Sequence, residues 1–277
     1  MTGSMGLLGS DAVRLLSPIH NVFGLTKNEL NITNTTSINT IFSNIKPDII
    51  INCAGYTNVD NCKKNVSLAN EINAYGAYNL ANASKKYNST IVHISTDYIF
   101  DGKKEKPYIE LDKPNPLNIY GKSKLLGEKL VSQATPKHYI IRTSWLYGKN
   151  GNNFVKTIIN ASRKSTKNEL KVVNDQIGSP TYSIDLINAI IFIIKQKSYG
   201  TYHVSNEGYC SWYDFAKKIL QLSNINKEIL PMCSEELERP AIRPKYSVLD
   251  NYKLRKQFNY TLRAWDKALE DYSEKEM

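Results

Sequence analysis

Tyr120 and Lys124 stand four residues apart in Tyr120-Gly121-Lys122-Ser123-Lys124, a spacing that sets a phenol and an ammonium on one face of a helix, a turn from each other. A phenol with an ordinary pKa of about 10 is a reluctant proton shuttle at neutral pH, and a neighbouring ammonium lowers that value toward the working range. Upstream, a β-branched run ends in Ser95-Thr96-Asp97, and a hydroxyl at the carboxyl end of a parallel sheet reaches the cleft where open α/β folds bind ligands. The chemistry these groups suit is ketone reduction. Thr96 hydrogen-bonds the carbonyl and the developing alkoxide, Tyr120 gives the proton, and Lys124 acidifies the phenol while holding a nicotinamide ribose. The hydride comes from the nicotinamide.

A cofactor of that kind needs a phosphate cradle. Gly3, Gly6 and Gly9, with Leu7 and Leu8 among them, form G-x-x-G-x-x-G and lead into Ser10 to Leu16, which is helical in character. Glycines let the backbone turn tightly against a pyrophosphate, which the amides and dipole of a helix N-terminus stabilise. Thr26-Lys27 follows the next expected strand, Asn21 to Leu25. NAD-selective proteins place an acid there for the ribose hydroxyls, and an acid repels a 2′-phosphate. Hydroxyl and ammonium groups accept one, which favours NADPH, with NADH still compatible. One feature departs from the pattern: a strand of about six residues should precede the glycine turn, yet only Met1 and Thr2 do. The first strand is therefore expected to be truncated, with the true start of the chain further upstream.

The elements that must position these groups are legible as alternating strands and helices, the pattern of a doubly wound, Rossmann-like parallel sheet. Asp48 to Cys53, Ser89 to Ser95 and His138 to Thr143 read as buried strands; Ser67 to Tyr87 and Tyr120 to Val131 read as helices. After about residue 150 Pro180, Pro231, Pro240 and Pro244 punctuate shorter elements. Residues 1–150 are expected to form the dinucleotide-binding domain, and 151–277 a smaller, mainly substrate-binding region interleaved with the main sheet.

The 277 residues are 41% hydrophobic and 22% charged, the balance of a globular protein. The net charge of +10 comes from scattered lysines without the aromatic-interleaved stripe of a nucleic-acid binder, so no nucleic-acid partner is expected. No apolar run is long enough to span a bilayer. No secretory segment is evident, and Cys53, Cys62, Cys210 and Cys233 lack C-x-x-C spacing, so a cytoplasmic protein with free thiols is expected. His93 and His203 read as hydrogen-bonded core residues, and Cys53 as a packed small residue rather than a thiolate.

Ser95-Thr96-Asp97-Tyr98-Ile99-Phe100-Asp101-Gly102 resembles the signature of the dTDP-4-dehydrorhamnose reductase family, within the extended short-chain dehydrogenase/reductases. Pro107 to Glu110, Asn115 to Lys124, Gly127-Glu128, Arg142 to Gly148, Gly151 to Phe154, Val172 to Thr181, Tyr202 to Gly208, Ser211 to Tyr213 and Arg243-Pro244 follow in family order, so the likeness spans nearly the whole chain. The resemblance implies reduction of the 4-keto group of dTDP-6-deoxy-L-lyxo-4-hexulose to dTDP-L-rhamnose, with Thr96, Tyr120 and Lys124 carrying the chemistry. It places Ala54, Gly55 and Tyr56 against the cofactor. Asn31 stands on the adenine side, where relatives often have aspartate. Asp97 and Trp145 would border the sugar, with Asn153 and Arg243 also on the substrate side. Some relatives hold magnesium through glutamates at a dimer contact. Asp11 lies in a comparable place, which supports no metal site, and a homodimer is the assembly the resemblance allows. A dehydratase on this scaffold needs an Asp-Glu pair after the threonine, whereas Tyr98 follows Asp97 here. An epimerase is disfavoured by the overall pattern, and a non-catalytic regulatory subunit by the intact Thr96, Tyr120 and Lys124.

Overall fold

The β-branched runs form strands because each finds a parallel neighbour. In the computed structural model, which describes residues 1–164 and 169–276, β1 (Ile49–Asn52), β2 (Thr90–Thr96) and β3 (His138–Thr143) pair side by side. Two-residue strands β4 (Leu146–Tyr147), β6 (Ile177–Gly178), β7 (Thr181–Tyr182) and β9 (Cys210–Ser211) and the pair β5 (Glu169–Val173) and β10 (Glu228–Met232) lie outside this sheet. Its fourth strand, β8 (Gly200–His203), comes from late in the chain, and the order is β1-β2-β3-β8, all parallel. Both faces are covered, as parallel sheets require.

One face packs against α1 (Leu7–Leu16) and α8 (Ser183–Gln196), through Leu8, Ala12, Leu186 and Ile190. The other packs against α2 (Thr35–Ile45), α5 (Ala77–Lys86) and α6 (Ile119–Ala134), through Ile38, Phe42, Leu80 and Val131. A separate core joins α7 (Phe154–Lys164), α9 (Trp212–Leu222) and α11 (Trp265–Glu276) to the short strands, around Tyr147, Tyr182, Phe215 and Tyr272. The remaining helices are α3 (Val59–Lys64), α4 (Val66–Asn70) and α10 (Tyr252–Phe258).

One expectation is refined and one corrected. Ser67 to Tyr87 is helical as expected, but the helix runs through α4, a π-helical segment, Glu71–Gly76, and α5 without a break. Asn21 to Leu25 is not a strand, because a strand needs a ladder. Only Leu25 has a bridge partner, Thr2, which also bridges Asn52 of β1. Thr2 thus sits between Leu25 and β1, with its N–H donating to Ile51 O (3.0 Å) while Leu25 N–H donates to Met1 O (2.8 Å). An apolar groove of about 460 Å³ opens beside this point, lined by Phe23, Phe42, Ile49, Ile51 and Ile194.

Candidate active site

Gly3 has φ +66°, the left-handed region that favours glycine, and a Cβ there would meet Ala54 N at 2.8 Å. A Cβ on Gly9 would stand 2.1 Å from Gly3 O. The turn is thus closed on itself and pressed against the segment following β1. It delivers α1, whose N-cap Gly6 offers no side-chain cap and whose first turn holds no acid. Helix geometry leaves the amides of Leu7, Leu8 and Gly9 without intrahelical acceptors. These residues fit an anionic pyrophosphate. The Leu8 side chain is buried in the core, so its contribution there is its amide.

At the ribose end, Thr26 N–H donates to the Glu29 carboxylate (2.8 Å), and this bond holds the carboxyl below its ordinary pKa. Glu29 is an acid that a search at positions 26 and 27 alone passes over; Lys27 beside it is exposed. Asn31 turns its oxygen back onto Thr33 N and Oγ1 (3.1 and 3.0 Å). Beyond β1, Tyr56 N–H donates to Asn73 Oδ1 (2.7 Å), while Asn73 Nδ2 donates to Tyr56 O and Ser123 Oγ (both 3.0 Å). Asn73, on the π-helical segment, therefore ties the Gly55-Tyr56 loop to the helix that carries Tyr120 and Lys124.

That helix, α6, is placed by its first turn. Asn118 caps it, accepting from Gly121 N–H (2.8 Å), and a Cβ on Gly121 would stand 2.1 Å from Tyr98 O. Glycine thus lets α6 close onto the short 3₁₀ turn Asp97–Ile99 that follows β2. Tyr98 and Tyr120 meet edge to face, centroids 5.9 Å apart. Thr96 donates from Oγ1 to Asp97 Oδ1 (3.0 Å) and accepts from Tyr98 N–H (3.2 Å). Asp97 is buried, its Oδ2 has no hydrogen-bond partner among the described residues, and burial pushes its carboxyl up to about 7.

Tyr120 and Lys124 share one face of α6, but the expected acidification of the phenol is not seen in this arrangement. Burial dominates and raises the Tyr120 pKa, opposed first by its hydrogen bond with Thr96. Lys124 Nζ instead donates to Ile94 O (2.5 Å) and lies 3.5 Å from His93 Nε2. Burial pushes Lys124 down to about 8, against the Glu128 carboxylate, which raises it. Glu128, a turn further along α6, accepts from Arg142 on β3 (Nη2–Oε2 2.7 Å) and from Ser95 Oγ (2.5 Å), a buried pair that locks helix to sheet.

The remaining candidates divide. Trp145 follows β3, whose Thr143 pairs with Thr96, so it stands at the same sheet edge. Its φ of +45° is costly for a bulky residue, and its ring stacks on Trp212 of α9 at 3.4 Å. Asn153 and Arg243 have their polar atoms taken up by protein. Asn153 bonds Gly148 O (2.9 Å) and Lys156 N–H (3.1 Å), and Arg243 forms a fork with Asp60 of α3 (3.1 and 2.8 Å). Asp11 is buried and bonded by Ser183 Oγ (2.5 Å) and Arg14 (3.2 Å), and among the described residues no group of three or more His, Cys, Asp or Glu side chains is placed to hold a metal.

A doubly wound parallel sheet with a glycine cradle before α1 and a Tyr-x-x-x-Lys pair on α6 is the architecture of the extended short-chain dehydrogenase/reductases. The family described as RmlD substrate binding domain matches residues 1–277. The chain is 44% identical to the spore coat polysaccharide biosynthesis protein SpsK of Bacillus subtilis, over 98% of this chain and 95% of that protein. Two solved structures superpose with a TM-score of 0.95. One, a dTDP-4-dehydrorhamnose reductase from Clostridium acetobutylicum, is 46% identical and covers 99% of this chain and 97% of its own. The other, a dTDP-4-dehydrorhamnose reductase from Bacillus anthracis in complex with NADP, is 45% identical over 98% and 96%. The chain belongs to the dTDP-4-dehydrorhamnose reductase family.

Proposed function

We propose that this chain reduces the 4-keto group of dTDP-6-deoxy-L-lyxo-4-hexulose to give dTDP-L-rhamnose, with NADPH as reductant. The observation that carries the reading is the meeting of Thr96, Asp97 and Tyr120 at the carboxyl edge of β2 and the start of α6, in a chain of this family. Gly3, Gly6, Gly9 and the first-turn amides of α1 hold the pyrophosphate, with Ala54, Gly55 and Tyr56 along the nicotinamide side and Thr26, Lys27 and Asn31 toward the adenosine. NADPH bound there supplies the hydride. With substrate bound, the Thr96 hydroxyl turns its one proton from Asp97 Oδ1 to the ketone oxygen, the Tyr120 hydroxyl donates to the same oxygen, and Tyr120 gives its proton as the alkoxide forms. Lys124 holds the nicotinamide ribose and, as an ammonium, stabilises the phenolate that Tyr120 leaves behind.

Trp145 and Asp97 border the sugar. Asn153 and Arg243 act on the substrate side by holding its walls, given their bonds to Gly148, Lys156 and Asp60. Residues 151–277 supply most of that side while lending β8 to the main sheet. NADH remains the second donor to assay, because Glu29 puts a carboxylate at the Thr26 turn. A cytoplasmic location is supported by four free cysteines and by the absence, among the described residues, of a helix long and apolar enough to cross a membrane. A homodimer is supported by exposed Leu68 and Tyr75 near the α4 to π-helical junction, and light scattering after size exclusion reads it.

The test is loss of 340 nm absorbance with the 4-keto sugar nucleotide and each reduced cofactor. Tyr120→Phe is expected to lose nearly all turnover while keeping cofactor binding, and a retained rate would remove Tyr120 as proton donor. A folded chain that turns over neither cofactor, yet binds a partner enzyme, supports the regulatory-subunit reading instead.

A further inference from the structure

Behind Lys124 a second chain of polar groups crosses the sheet, and its donors and acceptors can be assigned. Asn52, buried at the end of β1, accepts at Oδ1 from Ala54 N–H (3.2 Å) and from Thr2 Oγ1 (2.7 Å). A backbone amide can only donate, so this oxygen faces Ala54, and the Asn52 amino group faces His93 Nδ1 at 3.1 Å. An amino group also only donates, so Nδ1 is the acceptor. His93 is fully buried on β2, and burial together with the Lys124 charge holds it neutral. A neutral imidazole whose Nδ1 accepts carries its single proton on Nε2. That N–H is the group 3.5 Å from Lys124 Nζ.

We propose that Asn52 and His93 are a positioning pair that sets the charge of Lys124. Asn52 fixes the Nε2–H tautomer, and that N–H, aimed at Nζ, favours the uncharged amine over the ammonium. Resting on the reductase reading, this pair sets the alkaline limit of turnover, because the phenolate left at Tyr120 is stabilised only while Lys124 is charged. The other titratable groups acting on Lys124 are Glu128 on α6, which favours the ammonium, and the Cys53 thiol beyond β1, which burial holds protonated up to about 12. Neither explains a donor pointed at the amine.

The test reads tautomer and charge apart from turnover. In the full-length protein with ¹⁵N-labelled histidine, His93 should show a protonated Nε2 and a bare Nδ1, and ¹³C-labelled lysine should show Lys124 losing its proton at about 8. A protonated Nδ1 would overturn the proposal whether or not the protein is active. In turnover, the alkaline limb of kcat should move to higher pH by about one unit in His93→Phe, and similarly in Asn52→Ala, which frees the imidazole to take the other tautomer. Since Asn52 acts through His93, Asn52→Ala should add no shift in the His93→Phe background. A limb that stays in place in both single variants, with loss of rate at every pH, assigns the pair to packing alone. If no nucleotide sugar is turned over by the unaltered chain, the reductase reading fails while the two labelling measurements still decide this one.

Discussion

Asp97 joins the site to the stability of the molecule. Its carboxyl, ordinarily near 3.8, is raised to about 7 by burial, so between those values the native state keeps a proton that the unfolded chain has released. Stability therefore falls as pH rises through that window. Lys124, lowered from 10.5 to about 8, acts oppositely: the unfolded chain holds the extra proton between those values, and stability rises with pH there. The buried neutral imidazoles of His93 and His203 raise stability with pH over part of the same range, so the Asp97 contribution is read as a difference: the urea midpoint of Asp97→Asn relative to the unaltered chain should rise from pH 4 to 7. A constant difference would place the carboxyl's titration elsewhere. Thr96→Val removes a donor proposed for the ketone oxygen and should lower kcat roughly 100-fold. Thr96, Tyr120 and Lys124 were legible as a spacing and a strand end. Asn52 and His93 were not, because a buried asparagine and histidine on strands look like core polar residues until the donors around them are traced.

Helix α6 shows how the elements hold that chemistry in register. Asn118 caps it, Gly121 lets it touch the Tyr98 backbone, and Glu128 pins it to Arg142. Gly121→Ala would push a methyl into Tyr98 O and should cost ~1–3 kcal/mol by overpacking, read as a lower urea midpoint together with a lower kcat. Equal stability of the variant would show that the contact relaxes freely. The 3.6-residue period placed this helix to within a few residues, and β-branching placed β1, β2 and β3. The same period could not show the π-helical segment at Glu71–Gly76, since one widened turn leaves the apolar repeat on either side intact. Yet that segment supplies Asn73, which bonds both Tyr56 and Ser123. Asn21 to Leu25 carries strand-like residues but lacks a ladder partner for all but Leu25, and composition does not reveal who the neighbour is.

At the scale of the whole molecule, β8 comes late in the chain and closes the early sheet, while α8 joins two cores, with Leu186 and Ile190 against the sheet and Ile184 against the core of the short strands. The groove beside Thr2 leaves apolar side chains of both the sheet and α8 open to one space, with Ile49 and Phe23 at 39% and 43% exposure. The native protein should accordingly enhance the fluorescence of anilinonaphthalene sulfonate, and Ile49→Lys should reduce that signal with an unchanged far-ultraviolet spectrum. No enhancement would mean the groove is closed in solution. The stacked indoles of Trp145 and Trp212 both pack against the core around Tyr147 and Phe215, one ring following β3 and the other on α9. With only three tryptophans in the chain, this dimer gives the protein a built-in optical gauge. Coupled transitions between rings 5° from parallel should yield a paired band in near-ultraviolet circular dichroism, whose amplitude tracks any shift of α9 against the segment after β3 as a sugar nucleotide enters.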